Sequence, residues 1–233
     1  MALNIQTLKT RSLTAVIFVI VMLAGLFWNF WSFLLLFNII HIGCWIEFIE
    51  LTKKVYGTEY KKYSLLGLLY ISLPILALVN LSTAWQLNPL VDLQKGTYSY
   101  LLPCAIIFSI WINDTMAYIV GSLIGKTPFS TISPKKTWEG TIGGAILCIV
   151  VIGLLGYYLP IAHEIALKHW LAIAAICAVF GTAGDLLESK IKRMANVKDS
   201  GKIMPGHGGF LDRFDSLLIA APAVWVYVKL FIA

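Results

Sequence analysis

Apolar residues run through this chain in long blocks separated by short polar gaps. The blocks divide into seven stretches, at roughly 12–27, 29–51, 64–82, 98–118, 141–160, 169–187 and 216–232. A helix needs about 20 predominantly apolar residues to cross the hydrocarbon core of a bilayer. The first two stretches merge into a run from 13 to 46 without a single Lys, Arg, Asp or Glu, too long for one crossing. A tight hairpin is predicted near Trp28-Asn29, with Trp28, Phe30 and Trp31 at the membrane interface. Each helix of a water-soluble bundle would carry a polar stripe, and these blocks have none. The pattern predicts an all-α, polytopic integral membrane protein of about seven transmembrane helices.

Composition agrees: 59% of the 233 residues are apolar and 13% charged, against about 25% charged in an ordinary soluble domain. The net charge of +6 would suit a nucleic-acid binder, but no basic face interleaved with aromatics is present, so no nucleic-acid partner is expected. The cations lie in the gaps between apolar blocks, where they set orientation. With the N-terminus cytoplasmic, inner segments hold Lys9, Arg11, Lys53, Lys54, Lys61, Lys62, Lys126, Lys135, Lys136, Lys190, Lys192, Arg193, Lys198, Lys202 and Arg213. That is fifteen of the eighteen basic residues, leaving Lys95, Lys168 and Lys229 outside. The N-terminus is thus predicted cytoplasmic. Lys9, Arg11 and the apolar stretch after them resemble a signal peptide, but no small-x-small cleavage site follows, so an uncleaved first span is expected. Cys44, Cys104, Cys148 and Cys177 lie inside apolar blocks without CxxC spacing and read as small buried hydrophobes.

The long polar segments, 52–63, 121–140 and 188–215, all fall on the inner side in this orientation. In the second, Asp114 precedes Gly125-Lys126 and Ser133-Pro134-Lys135-Lys136-Thr137-Trp138-Glu139-Gly140. A carboxylate near the end of a span is costly unless paired or metal-bound; Asp114 reads either as a packing residue paired with a nearby Lys or as part of a site. Gly125-Lys126-Thr127 resembles the end of a phosphate-binding P-loop, but Val120 stands where the first Gly belongs and no strand precedes it. The 133–137 stretch combines cations, hydroxyls and a Pro-fixed turn, which suits either a polyphosphate or anionic lipid headgroups.

The third segment is denser. It joins Gly184-Asp185, Glu188, Lys190, Lys192-Arg193, Lys198-Asp199, Gly206-His207-Gly208-Gly209 and Asp212-Arg213-Phe214-Asp215. Asp212 and Asp215, three apart, share one face of a helix, and a chain folding back would add Asp185. Three carboxylates together call for a cation, and carboxylate oxygen suits Mg²⁺. The surrounding Lys192, Arg193, Lys198 and Arg213 can hold phosphate oxygens. A solvated basic loop explains the lysines but neither the glycines nor the carboxylates beside a span. Glu47 and Glu50, at the inner end of the second span, read as interfacial partners of Lys53 and Lys54.

The stretch Ser189-x-Ile191-Lys192-Arg193-x₄-Lys198-Asp199-x-Gly201-x₃-Pro205-x-His207-Gly208-Gly209-x₂-Asp212-Arg213-Phe214-Asp215 closely resembles the signature of CDP-diacylglycerol synthases, or phosphatidate cytidylyltransferases. Upstream, Asp114, Ala117-Tyr118, Gly121, Gly125-Lys126, Ser133-Pro134, Lys136-Thr137 and Glu139-Gly140 resemble that family's other recurring block. The resemblance implies transfer of the cytidylyl group of CTP to phosphatidic acid, giving CDP-diacylglycerol and pyrophosphate. It implies Asp185, Lys198, Asp212 and Asp215 as catalytic residues. Asp185, Asp212 and Asp215 would ligate Mg²⁺ or another divalent cation. Ser133, Lys136, Thr137, Lys192, Arg193, His207 and Arg213 would contact the substrates. The implied division is 1–97, N-terminal membrane helices, and 98–233, a C-terminal catalytic membrane region, within one membrane unit. The partners are CTP, phosphatidic acid and membrane lipid, with a homodimer as a candidate assembly. The expected location is a bacterial inner membrane, with the site facing the cytoplasm. Other CTP-using lipid enzymes would keep polar inner loops without this whole signature. A transporter or scramblase would place ionisable residues near the bilayer midplane in broken helices, whereas Asp114 and Asp185 lie toward inner ends.

Overall fold

The structure, a computed structural model, describes residues 5–83, 98–203 and 208–232. Those residues are helical almost throughout, with no strand among them. Long helices are α1 (Ile5–Phe27), α2 (Phe30–Tyr56), α5 (Leu101–Ile124), α6 (Trp138–Tyr158), α7 (Leu167–Met194) and α8 (Leu211–Phe231). Between α2 and α5 lie the short α3 (Tyr60–Ser64) and α4 (Leu73–Thr83), with one π-helical turn at Leu68–Ser72.

Five helical stretches, at Phe30–Ser64, Leu101–Ile124, Trp138–Tyr158, Leu167–Met194 and Leu211–Phe231, are long and apolar enough to cross a membrane. Ser12–Phe27 and Leu68–Thr83 are apolar but shorter. All seven expected stretches are therefore helical, and five have the full length for a crossing. The chain separates into two compact units. One is Met1–Ile75 with Lys190–Phe214, the other Leu76–Ser189 with Asp215–Ala233. The division falls inside α4, α7 and α8.

In the first unit α1 and α2 form the expected hairpin, turning at Trp28-Asn29. Asn29 starts α2 with a capping box: its Oδ1 accepts from Ser32 N at 2.9 Å while Ser32 Oγ accepts from Asn29 N at 3.0 Å. This satisfies two of the backbone donors that a helix start leaves without partners. Phe33, Phe37, Ile40, Cys44, Glu47, Phe48 and Leu51 form the buried seam of α2. Leu35, Ile39, Ile42 and Ile46, on the other side, are 50–64% exposed.

In the second unit α6 likewise has a buried line and an exposed apolar face. On α6 the buried line is Gly140, Gly144, Cys148 and Ile152, and a β-carbon on Gly144 would overlap Ala117 of α5. The stripe Ile142, Ile146, Val150 and Leu154 points outward. Outward faces this apolar are a liability in water and match a lipid solvent. All four cysteines are free and buried, as their positions predict.

The helices do not stop where the apolar blocks stop. The sixth expected stretch stops near 187, but its helix, α7, runs to Met194; the seventh was expected from 216, but its helix, α8, begins at Leu211. Polar side chains at 188–194 keep the helical backbone, and what ends α7 is a Schellman turn. Asn196 takes the left-handed conformation, φ 54°. Its N–H donates to Arg193 O at 3.1 Å, and Val197 N–H to Lys192 O at 3.0 Å.

Candidate active site

In the second unit the α5–α6 connection folds back on itself. Phe129 N donates to Lys136 O at 2.8 Å and Trp138 N to Thr127 O at 2.9 Å, and Lys136 N closes the tip onto Ser133 O at 3.1 Å. This is the Pro-fixed turn expected at 133–137. Glu139, in the first turn of α6, anchors its base by accepting from Lys126 N at 3.1 Å and Thr127 Oγ1 at 2.8 Å. Thr137 caps α6, its Oγ1 accepting from Gly140 N at 3.1 Å. The turn delivers Lys136 to α7, where its Nζ lies 2.5 Å from Asp185 Oδ2. Asp114, on α5, shares the electrostatic neighbourhood of Lys136 and Asp185.

Asp215 is buried and its Oδ1 accepts from Ser216 N at 2.6 Å. A β-carbon on Gly184 would overlap the Asp215 carbonyl, so α7 and α8 approach closely here and bring Asp185 and Asp215 to the same level of adjacent helices. Two of the three expected metal ligands are thus neighbours within one unit.

The third, Asp212, lies in the first unit, where it is the centre of a tight network. Lys192 Nζ stands 2.6 Å from Oδ1. Oδ2 accepts from Ser200 N and Gly209 N, each at 2.8 Å. Ser200 Oγ lies between Asp212 Oδ2 at 2.8 Å and Glu47 Oε2 at 2.7 Å; its single proton serves one carboxylate at a time. Arg193, Lys198 and Arg213 are exposed. Ser133 is part-exposed at the tip of the turn. His207 lies outside the described residues.

The donor chemistry suits a divalent cation: carboxylate oxygens are hard ligands, and Asp185 and Asp212 each hold a lysine ammonium where a cation would bind. Among the described residues, no three His, Cys, Asp or Glu side chains are gathered as a metal cluster. Asp185 and Asp215 fit best. At Asp212 a cation would have to displace Lys192 from Oδ1.

Sequence reasoning missed two residues. Glu139 was noted only as part of a motif and supports the turn. Glu47 was read as a partner of Lys53 and Lys54, and this is corrected. Glu47 is buried on the α2 seam, and its carboxylate accepts from Ser200 Oγ, Phe210 N and Leu211 N. Helix spacing speaks against the lysine pairing, because the positions three and four after Glu47 are Glu50 and Leu51, not a base, but it names no other partner.

The profile of the Cytidylyltransferase family matches residues 65–231. The phosphatidate cytidylyltransferase of Rickettsia typhi is 35% identical over 222 residues, covering 93% of this chain and 90% of the relative. That of Staphylococcus saprophyticus is 47% identical over 114 residues, 48% of this chain and 43% of the relative. The chloroplastic phosphatidate cytidylyltransferase 4 of Arabidopsis thaliana is 44% identical over 117 residues, 50% of this chain and 29% of the relative. The chain thus spans less than half the length of the latter two and nearly all of the first. With a profile match over most of its length, and with the signature carried on helix ends, this chain belongs to the cytidylyltransferase family.

Proposed function

We propose that this protein is a phosphatidate cytidylyltransferase that makes CDP-diacylglycerol and pyrophosphate from CTP and phosphatidic acid. The observation that carries the reading is the state of the signature around Asp212. Its described residues form an assembled network, with Asp212 held by Lys192, Ser200 and Gly209, where a solvated basic loop would leave these groups to water.

In the reaction a phosphate oxygen of phosphatidic acid attacks the α-phosphorus of CTP. One P–O bond forms, the bond from the α-phosphorus to the bridging oxygen breaks, and pyrophosphate leaves with that oxygen. The attacking phosphate is already largely ionised at neutral pH, so no side chain need remove a proton. Arg193, Lys198 and Arg213 would hold phosphate oxygens, Ser133 and Thr137 would add contacts, and Lys136 and Lys192 would do so when a substrate phosphate competes with their aspartates. A divalent cation, Mg²⁺ or another, would be held by Asp185 and Asp215 and would supply neutralisation of phosphate charge that eases departure of pyrophosphate; Asp212 would take part only where Lys192 leaves its Oδ1.

The finer topology belongs to the same proposal. Seven crossings, with Ser12–Phe27 and Leu68–Thr83 as the two short ones, rest on the apolar stretches, and a cytoplasmic N-terminus on the positive-inside count. The site would then face the cytoplasm at a bacterial inner membrane, where CTP arrives from water and the lipid from the bilayer. A second copy of the chain is a candidate partner, decided by light scattering of the detergent-solubilised protein. The activity test is pyrophosphate release from CTP, phosphatidic acid and Mg²⁺ by the purified protein. Release that stops on chelation is expected, and none under several lipid and metal conditions sinks the reading.

A further inference from the structure

A carboxylate sits on the buried seam of α2, in a part of the chain outside the family match at 65–231. Glu47 is 3% exposed, and burying such a group is costly unless it is hydrogen-bonded. Its donors come from one distant segment. Oε1 accepts from Phe210 N at 2.9 Å; Oε2 accepts from Leu211 N at 2.9 Å and Ser200 Oγ at 2.7 Å. The fit is close on both sides of that segment, because a β-carbon at Gly201 or at Gly209 would overlap the Glu47 carboxylate.

Phe210 and Leu211 stand at the head of α8, whose first N–H groups have no partners inside the helix and carry the positive end of its dipole. A local side chain usually caps such an end, but Gly209 and Phe210 have none that can accept. The cap comes instead from α2, more than 160 residues earlier in the chain. Asp212 and Arg213 follow directly, in the same first turn of α8. Ser200 supplies a second link, since its N–H holds Asp212 Oδ2 while its hydroxyl reaches Glu47.

We propose that Glu47 is a positioning residue for the reaction: by capping α8 and holding Ser200, it fixes where Asp212 and Arg213 stand. The inference rests on the cytidylyl-transfer reading for its kinetic consequence, but its contact stands apart from that reading. Glu47→Gln keeps the shape and replaces one oxygen by an NH₂ donor. In either orientation that donor faces a backbone N–H, of Phe210 or of Leu211, that now has no acceptor. Glu47→Asp keeps the carboxylate but withdraws it by one methylene.

The test uses the whole chain in detergent, with CTP, phosphatidic acid and Mg²⁺, at a temperature where each variant is folded. Glu47→Gln is expected to lower kcat by about 10- to 100-fold, the range typical of groups that orient ligands, with a smaller change in KM for CTP. Glu47→Asp should lie between it and wild type. Phe37→Leu, on the same buried seam, is a control for destabilisation alone and should keep wild-type kcat. Hydrogen exchange of the amides at 209–212 should be faster in Glu47→Gln than in wild type and unchanged in Phe37→Leu. If Glu47→Gln does not fold, Glu47→Asp and Ser200→Ala take its place in both measurements. A folded Glu47→Gln (or the variants standing in for it) with kcat within about twofold of wild type overturns the inference, as does unchanged exchange at 209–212 in it, or an equal fall of kcat in Phe37→Leu. Should wild type itself release no pyrophosphate, the cytidylyl-transfer reading fails, and the exchange measurement alone then decides the Glu47 contact.

Discussion

Two lysine–aspartate pairs, one in each unit, have nearly the same length and different surroundings. Lys136–Asp185 closes at 2.5 Å with side chains 31% and 28% exposed; Lys192–Asp212 closes at 2.6 Å with 13% and 10%. Asp185 meets a lysine delivered by a surface turn. Asp212 is also fastened by Ser200 and Gly209. Distance alone does not separate the pairs, whereas burial and the number of additional donors do. A part-exposed pair is screened by water and worth little to stability; a buried one is destabilising to break because its partner is left uncompensated. The first pair can open for a ligand at little cost. The second is part of the framework.

The strongest way to break this comparison is Asp212→Ala. It removes the carboxylate that faces Lys192 and leaves the N–H groups of Ser200 and Gly209 without their acceptor. A stability loss of about 3–5 kcal/mol is expected, read as a lowered melting temperature in detergent, together with loss of pyrophosphate release. A variant that melts like wild type would show that the network is incidental.

Asp185→Asn should separate activity from stability. It removes the charge facing Lys136 and one of the two carboxylates proposed to hold a cation. Pyrophosphate release should fall by at least about 100-fold, comparable to losing one group that stabilises charge in a transition state. Stability should change by no more than about 1 kcal/mol, as for other part-exposed pairs. Titrating Mg²⁺ against both proteins sharpens the point, since the variant should need more metal for half-maximal rate. An unchanged Mg²⁺ requirement removes Asp185 from the metal site.

The same contrast explains what could be read in the sequence. Apolar blocks of bilayer length give helices because a lipid solvent leaves backbone groups no partner but each other, so all seven blocks are helical. The 133–137 turn was legible because Pro134 and its neighbours act locally. The Asp185–Asp215 approach was legible only as a condition, that the chain between them folds back, since the three-residue spacing speaks for Asp212 and Asp215 alone. Helix ends were not, because an apolar count stops at 187 while the backbone continues to Asn196, whose left-handed turn depends on hydrogen bonds. Glu47 was illegible as a site residue because its partners lie 153 to 164 positions away, and no local pattern reports a contact of that range.

The smallest expected effect tests whether the Lys136 turn is only a carrier. Glu139 carries no share of a buried network. It is a surface carboxylate in the first turn of α6, where negative charge suits the helix dipole, and it holds Lys126 N and Thr127 at the base of the turn. Glu139→Gln keeps one acceptor and turns a donor toward the other contact, so the base loosens while the Thr137 cap and the backbone bonds at Phe129 and Trp138 remain. The turn should then sample more positions, and Lys136 should reach Asp185 less often. A rise of roughly two- to fivefold in KM for CTP is expected, with kcat nearly unchanged, the pattern of weakened ground-state binding. A loss as large as that of Asp185→Asn, falling on kcat, would mean that the turn is as firmly built into the site as Asp212 is, and the distinction between a framework pair and an adaptable pair would not hold.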